Sequence, residues 1–111
     1  MLRVVPVAER LFTAPGLQRF FDPQHYLNAS NELEISDVSG VVYRIDRVVE
    51  QQNAVWVLDY KSSGSTGKHL DRYMAQVTNY CQVLKEVYPW KAVRGVLVFS
   101  DATIIEVNNL V

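Results

Sequence analysis

The sequence predicts a mixed α/β domain with the element order helix, three strands, helix, two strands. Short stretches rich in β-branched and aromatic residues predict the strands. One long stripe of apolar residues at steps of three and four predicts the main helix. Strands that are interrupted by a helix are typical of a mixed sheet with helices packed against it. The 111 residues suit one domain, and a composition of 49% hydrophobic and 21% charged residues suits a globular core.

The chain divides into an irregular, partly helical lead-in (1–29) and a core (30–107). The lead-in contains two helical pieces, VAERLF and GLQRFF, and the second stops at Asp22-Pro23. A short first strand runs from Glu32 to Val38 and ends at Ser39-Gly40.

Two strands then form a hairpin, VVYRIDRVV (41–49) and AVWVLDYK (54–61), joined by four polar residues. The following stretch, SSGSTGK (62–68), reads as a flexible loop. It resembles a phosphate-binding loop, but two of the four fixed positions of that motif fail, so we interpret it as a flap beside the candidate site.

The main helix runs from Leu70 to Tyr88, and Pro89 ends it. After it, AVRGVLVFS (92–100) reads as a buried strand and ATIIEV (102–107) as the last strand. Cys81 falls on the apolar stripe of the helix, so we expect an inert buried thiol.

Composition excludes several classes of protein. No apolar run approaches the ~18 residues that would span a membrane, and the first residues do not form a signal peptide, so we expect a cytoplasmic protein with no membrane partner. A single cysteine excludes an internal disulfide and a cysteine-cluster metal site. The net charge of −1 disfavours a free-standing nucleic-acid binder, although a local basic patch remains open.

The most informative residues are two acids and a lysine in the hairpin. Strand side chains alternate between faces, so Asp59 and Lys61 share one face and Tyr60 points to the other. We predict a register with Val49 opposite Ala54. Asp46 then lies diagonal to Asp59, on the same face and within about 8 Å at the backbone. A register shifted by two residues would put the acids directly opposite each other, and a shift of one would separate them.

Carboxylates on one face hold a hard divalent cation such as Mg²⁺, and a neighbouring lysine can orient water and stabilise anionic oxygens. The alternative is structural. Each acid could form an ion pair, for which Arg44 and Arg47 are available.

The run RIDRVV, then VWVLDYKS, then a helix carrying QVTNY resembles the RecB/AddA-type nuclease domain of the PD-(D/E)XK superfamily. That family combines an Asp near the end of one strand, acid-x-Lys on the next, and Gln-x-x-x-Tyr on the following helix. The resemblance covers about residues 30–107 and implies a restriction-endonuclease-like core with a mixed central sheet and flanking helices.

The resemblance also implies roles. Asp46 and Asp59 would ligate the metal, Mg²⁺ with Mn²⁺ as a substitute, and the backbone carbonyl of Tyr60 could add a ligand. Lys61 would orient the attacking water or stabilise the phosphorus centre. Gln76 and Tyr80 would line the site. Glu32 is a further candidate ligand, with a charged edge-strand residue as its alternative.

The flap and the start of the helix add candidates for DNA contact. These are Lys68, His69 and Arg72, whose alternative is a solvated loop. One departure from the family pattern concerns the histidine ligand that many members carry on an upstream helix. His25 follows Asp22-Pro23 in an apparent loop and does not fill that place.

We therefore expect a Mg²⁺-dependent deoxyribonuclease domain of exonuclease type. Its partners would be DNA and the rest of a helicase-nuclease of DNA recombination or repair, of which this chain would be a fragment. The first alternative is a catalytically incomplete nuclease-fold module that serves DNA binding or protein docking. The second is an unrelated α/β interaction domain in which the two acids form ion pairs.

Overall fold

A five-stranded sheet with a helix on each face forms the centre of the fold. The computed structural model describes residues 16–62 and 69–107. In chain order the elements are helix α1 (Gln18–Phe21), a 3-10 turn (Pro23–His25), strands β1 (Asn28–Ser36), β2 (Val42–Glu50) and β3 (Ala54–Lys61), helix α2 (Leu70–Val87), and strands β4 (Ala92–Phe99) and β5 (Ile104–Val107). This order confirms the predicted α/β arrangement of a helix, three strands, a helix and two strands. The first predicted helical piece, VAERLF, lies outside the described residues.

The strands follow one another across the sheet in the order β1-β2-β3-β4-β5. The β3–β4 pair is parallel, and the other three pairs are antiparallel. A parallel pair needs a long crossover connection, which here contains α2. The sheet is therefore mixed, as the alternation of strands and helix predicts.

Two apolar layers sandwich the sheet. The layer on the α2 face includes Val57, Leu97 and the helix residues Val77, Cys81 and Leu84. The layer on the α1 face is a smaller cluster made of Leu17, Phe20, Val49, Trp56, Leu58, Val96 and Val98. Because β4 is covered on both faces, its second half is a continuous buried run, unlike the alternating pattern of a half-exposed strand.

Helix α2 lies close to β4 at a glycine. A Cβ atom at Gly95 would overlap Val77 Cγ1 and would lie 3.2 Å from Cys81 Sγ. The missing side chain thus lets the helix approach the strand. No helix within residues 16–62 and 69–107 combines the length and apolar character that crossing a membrane requires.

The turn between β2 and β3 corrects the predicted register. Val49 pairs with Trp56 and Glu50 with Val55, whereas we predicted Val49 opposite Ala54. The predicted four-residue loop is one residue too long, because Glu50 stays in β2, and the Gln51 N–H closes the turn by donating to the Ala54 carbonyl at 2.8 Å. The Gln51 side chain also accepts from the Trp56 indole at 3.0 Å. The shift is two residues, so it preserves the face of every side chain.

The β1–β2 hairpin turns over partway along its length. At Glu32 the pairing with β2 is interrupted, between the Asn31–Arg47 and Leu33–Ile45 pairs, and Glu32 has φ 52°, a left-handed conformation that is uncommon outside glycine. On one side of this point, Arg47 bonds to the Phe20 carbonyl on the α1 face. On the other side, Ile45 packs into the α2 layer, although strict alternation would put it with Arg47. The half of the hairpin beyond Glu32 therefore packs on the α2 side of the sheet.

Other boundaries differ by a few residues. β1 runs from Asn28 to Ser36, where we predicted 32–38, because its polar first residues pair with the end of β2. β5 starts at Ile104, where we predicted 102, because Ala102 lies in a turn with φ 66°. The predicted β3 bounds are confirmed, and α2 ends one residue earlier than predicted, at Val87.

Candidate active site

The two acids lie where β2 and β3 part. The ladder between these strands ends at the Arg47–Leu58 pair, one residue before Asp46 and Asp59. Beyond it, Asp46 Oδ2 accepts the Tyr60 N–H at 2.8 Å. A carboxylate thus takes the donor that a neighbouring strand would otherwise satisfy. The fork between the strands is a polar opening beside the apolar layer on the α2 face.

Asp59 is buried, with 5% of its surface exposed. Its Oδ2 atom lies 2.9 Å from Lys61 Nζ, an ion pair, yet no donor among the described residues meets it with hydrogen-bond geometry. Burial raises the pKa of Asp59 to about 6; the Lys61 ammonium opposes this rise and the Asp46 carboxylate adds to it. The two carboxyl groups therefore face each other on the α2 side of the sheet.

A chain of contacts leads from Asp59 to α2. Lys61 Nζ donates to Gln76 Oε1 at 2.8 Å. Gln76 Nε2 in turn donates to the Tyr80 hydroxyl at 2.9 Å. Residues 76 and 80 are one turn apart on the helix, which is why one hydrogen bond joins them. Burial raises the pKa of Tyr80, and the negative charge of Asp59 raises it further.

The structure thus brings together the five residues that we predicted to be catalytic, listed along the chain of contacts as Asp46, Asp59, Lys61, Gln76 and Tyr80. Their roles stay predictions.

Two tyrosines at the site were not predicted from the sequence. The Tyr73 ring lies under the Lys61 ammonium, with 4.4 Å from Nζ to the ring centroid. Its position three residues before Gln76 was a signal, but the apolar stripe made it look like a core residue. The Tyr43 ring meets Tyr80 edge-on at 6.2 Å. No local signal reveals Tyr43, because its place depends on the reversal of the hairpin at Glu32.

Glu32 itself points away from the acids. Its Oε1 pairs with Arg44 at 3.0 Å, and both side chains are more than half exposed. An exposed ion pair of this kind is what the edge-strand alternative predicts, and the ligand role of Glu32 stays a prediction. Arg44 is occupied there, and Arg47 bonds to Phe20 and Asn31, so these arginines point elsewhere than to the two acids.

The predicted DNA contacts lie at the rim as far as the structure describes them. Lys68 lies outside the described residues. His69 and Arg72 are exposed at the start of α2, beside the Tyr73 ring. His25 ends the 3-10 turn and lines a cavity with Arg19 and Val96 on the α1 face, across the sheet from the acids. The departure from the family pattern at the histidine therefore stands.

The residues of the fork fit a divalent cation. Within residues 16–62 and 69–107 there is no cluster of three or more His, Cys, Asp or Glu side chains that would enclose an ion. Mg²⁺ does not need one, because it keeps several waters and takes one or two carboxylates from the protein. The buried Asp59 Oδ2 without a hydrogen bond is the acceptor that such a cation would satisfy.

Tyr60 can add a backbone ligand. Its ring stacks on Phe21 at 6.5 Å on the α1 side. Its N–H points to Asp46, and in an extended strand the N–H and C=O of one residue point to the same side. The Tyr60 carbonyl is therefore directed towards the fork, as the predicted third ligand requires.

Comparison with known proteins places the chain in a family. A family model described as the PD-(D/E)XK nuclease superfamily matches residues 7–109. The crystal structure of SSO0001 is similar with a TM-score of 0.49 and 21% identity, over 95% of this chain and 57% of that one. The chain thus spans little more than half the length of that protein. A comparison with curated proteins finds no match.

Proposed function

Because the chain belongs to the PD-(D/E)XK nuclease superfamily and is a nuclease-type domain, we propose that it hydrolyses phosphodiester bonds of DNA with the aid of Mg²⁺. The five-stranded mixed sheet with flanking helices is consistent with the restriction-endonuclease-like core of that superfamily. We further propose that the domain is of exonuclease type and works within a helicase-nuclease of DNA recombination or repair. The resemblance to RecB/AddA-type domains supports this finer assignment.

The observation that carries the proposal is the buried Asp59 carboxylate, which is held 2.9 Å from Lys61 and whose Oδ2 accepts no hydrogen bond from the described part of the chain. Burying an ion pair is costly unless its hydrogen bonds are also satisfied, so such an arrangement is uncommon unless a cation or a reaction requires it. Asp46, Asp59 and the Tyr60 carbonyl would hold Mg²⁺. When bound, the cation would polarise the phosphate and favour formation of the attacking hydroxide.

The side chains of this chain supply the rest. Lys61, held by Asp59 and Gln76, would donate to a non-bridging phosphate oxygen or orient the attacking water. The attacking water loses a proton to solvent, its oxygen forms the new bond to phosphorus, the bond to the departing deoxyribose oxygen breaks, and that oxygen takes a proton from solvent. The Lys61 ammonium can only donate, so it fixes the Gln76 amide with Oε1 towards the lysine, and Nε2 then donates to the Tyr80 hydroxyl.

A cation titration tests the metal site. Mn²⁺ added to ¹⁵N-labelled protein should first broaden the amides around Asp46, Asp59 and Lys61. Asp59→Asn should abolish this selectivity, whereas Glu86→Gln, an exposed acid near the end of α2, should leave it intact. Uniform broadening in the wild type would contradict the site.

Cleavage assays test the reaction. Linear and closed circular DNA are incubated with Mg²⁺, and an exonuclease should degrade the linear form alone. Asp59→Asn and Lys61→Ala should each lower the rate by about 100-fold or more, the usual range for a lost catalytic group. Wild-type rates in both variants would refute the mechanism.

A second candidate is a module with the nuclease fold but without catalysis, used for DNA binding or protein docking. The two histidines of the chain favour it, since His25 lies across the sheet from the acids and His69 lies at the rim. Retarded migration of DNA in a gel, without cleavage in Mg²⁺ or Mn²⁺, would select this candidate.

A further inference from the structure

Lys61 is held more tightly than a surface lysine. Its side chain is 16% exposed, and its ammonium contacts the Asp59 carboxylate and the Gln76 amide oxygen. Lysine has a flexible four-carbon stem, so holding the ammonium in one place costs conformational entropy. An ammonium carries three N–H donors, so these two contacts leave room for a third partner.

The ring of Tyr73 is that third partner. Its centroid lies 4.4 Å from Lys61 Nζ, within the range of a cation–π contact. The same ring lies 5.9 Å from the Arg72 guanidinium carbon and 6.2 Å from the His69 ring. The Tyr73 ring therefore lies beside Lys61 and also beside the two described rim residues, Arg72 and His69.

The spacing on α2 explains this arrangement. Tyr73, Gln76 and Tyr80 follow one another at steps of three and four, so they share one face of the helix. The Gln-x-x-x-Tyr pattern accounts for the second and third of these residues and leaves the first without a role. The face that α2 presents to the end of β3 thus carries one residue more than the pattern requires.

We propose that Tyr73 is a positioning residue, whose ring face holds the Lys61 ammonium between Asp59 and Gln76. The inference rests on the proposed function for its kinetic consequence, but the contact itself exists without DNA or metal. The attraction comes from the negative face of the ring, and the hydroxyl contributes nothing to it. Tyr73→Phe should therefore preserve the contact with the Lys61 ammonium. Tyr73→Leu, which keeps a similar apolar character but has no ring, should lose it.

A spectroscopic test needs neither substrate nor cation. The ε-methylene protons of Lys61, assigned with Lys61→Arg, should be shifted upfield by the ring current in the wild type. Tyr73→Phe should keep the shift, and Tyr73→Leu should return the signal to the ordinary lysine position. An ordinary position in the wild type, or an unchanged shift in Tyr73→Leu, overturns the inference.

Kinetics give the second readout. Tyr73→Leu should lower kcat by about 2- to 30-fold, the range set by the strength of a cation–π contact, with little change in KM, and Tyr73→Phe should restore kcat. The matched control is Tyr88→Leu, at the far end of α2 against Trp90. An equal loss of kcat in the control, or none in Tyr73→Leu, refutes the inference and leaves the proposed function standing. If the wild type does not cleave DNA, the proposed function fails, and the Lys61 shift alone decides the inference.

Discussion

Removal of the Asp59 charge should stabilise the fold while it abolishes metal binding. Burial raises the pKa of this carboxyl from 3.8 to about 6. Each unit of pKa corresponds to about 1.4 kcal/mol, so the ionised form costs the folded state about 3 kcal/mol at pH 7. Asp59→Asn keeps the shape of the side chain without its charge. In metal-free buffer at pH 7, it should raise the free energy of unfolding by up to that amount, or the melting temperature by about 10 °C.

The pH dependence gives this prediction its sign. Because the folded-state pKa lies above the unfolded value, the folded protein binds the extra proton between about pH 4 and 6. The cost is absent below pH 4, grows as the pH rises through this window, and is complete above it. The advantage of Asp59→Asn should therefore be full at pH 7 and vanish near pH 4.

Denaturant unfolding at both pH values, with chelator present, measures the effect. Glu86→Gln should show no such difference. Excess Mg²⁺ should then stabilise the wild type but not Asp59→Asn, since a ligand that binds only the folded state raises its stability. A variant that is no more stable than the wild type at pH 7, or equally more stable at pH 4, would refute the argument.

Three further outcomes follow from the fold. Gly95→Ala should destabilise the fold by about 1–3 kcal/mol in thermal melts, because the new Cβ overlaps Val77. Adding Val77→Ala to the same chain should recover most of the loss. Additive losses of the two substitutions would contradict the overlap. Glu32→Gly should be at least as stable as the wild type, because glycine accepts the left-handed φ of 52° without strain. Glu34→Gly, on the same strand, should lose about 0.5–1 kcal/mol of unfolding free energy. Equal losses of the two variants in denaturant titrations would refute the strain at Glu32. Burial raises the pKa of the Cys81 thiol to about 12, so a thiol reagent at pH 8 should label Cys81 only after unfolding, and rapid labelling of the folded protein would show the packing to be wrong.

Local patterns were sufficient for most elements. The β-branched run of β3 and the apolar stripe of α2 are local sequence signals, so the bounds of both elements could be predicted to within about a residue. The register of the β2–β3 hairpin could not be predicted from local patterns. Glu50 stays in the strand with a side chain that pairs with Lys91 at 2.6 Å, a contact across 41 residues that no local pattern contains.

The candidate site divides in the same way. Asp59 and Lys61 share a face because strands alternate, and Gln76 and Tyr80 share one because helices repeat, so their meeting could be predicted from spacing. Tyr43 could not, because its position over α2 depends on one residue with an unusual backbone angle. Glu32 stands at that backbone angle and pairs with Arg44, which the sequence pattern did not indicate; its role as a ligand stays a prediction.

Because of the Asp46–Tyr60 hydrogen bond, we expect selection for a stable fold to act differently on Asp46 and Asp59. Asp46 satisfies a backbone donor at the end of a ladder, so its loss would weaken the fold along with the site. Loss of Asp59 would relieve the fold. In a lineage released from selection for cleavage, drift should therefore remove Asp59 before Asp46. A relative that retains the acid at position 46 but lacks the one at position 59 would mark a domain that has kept its fold after losing its reaction.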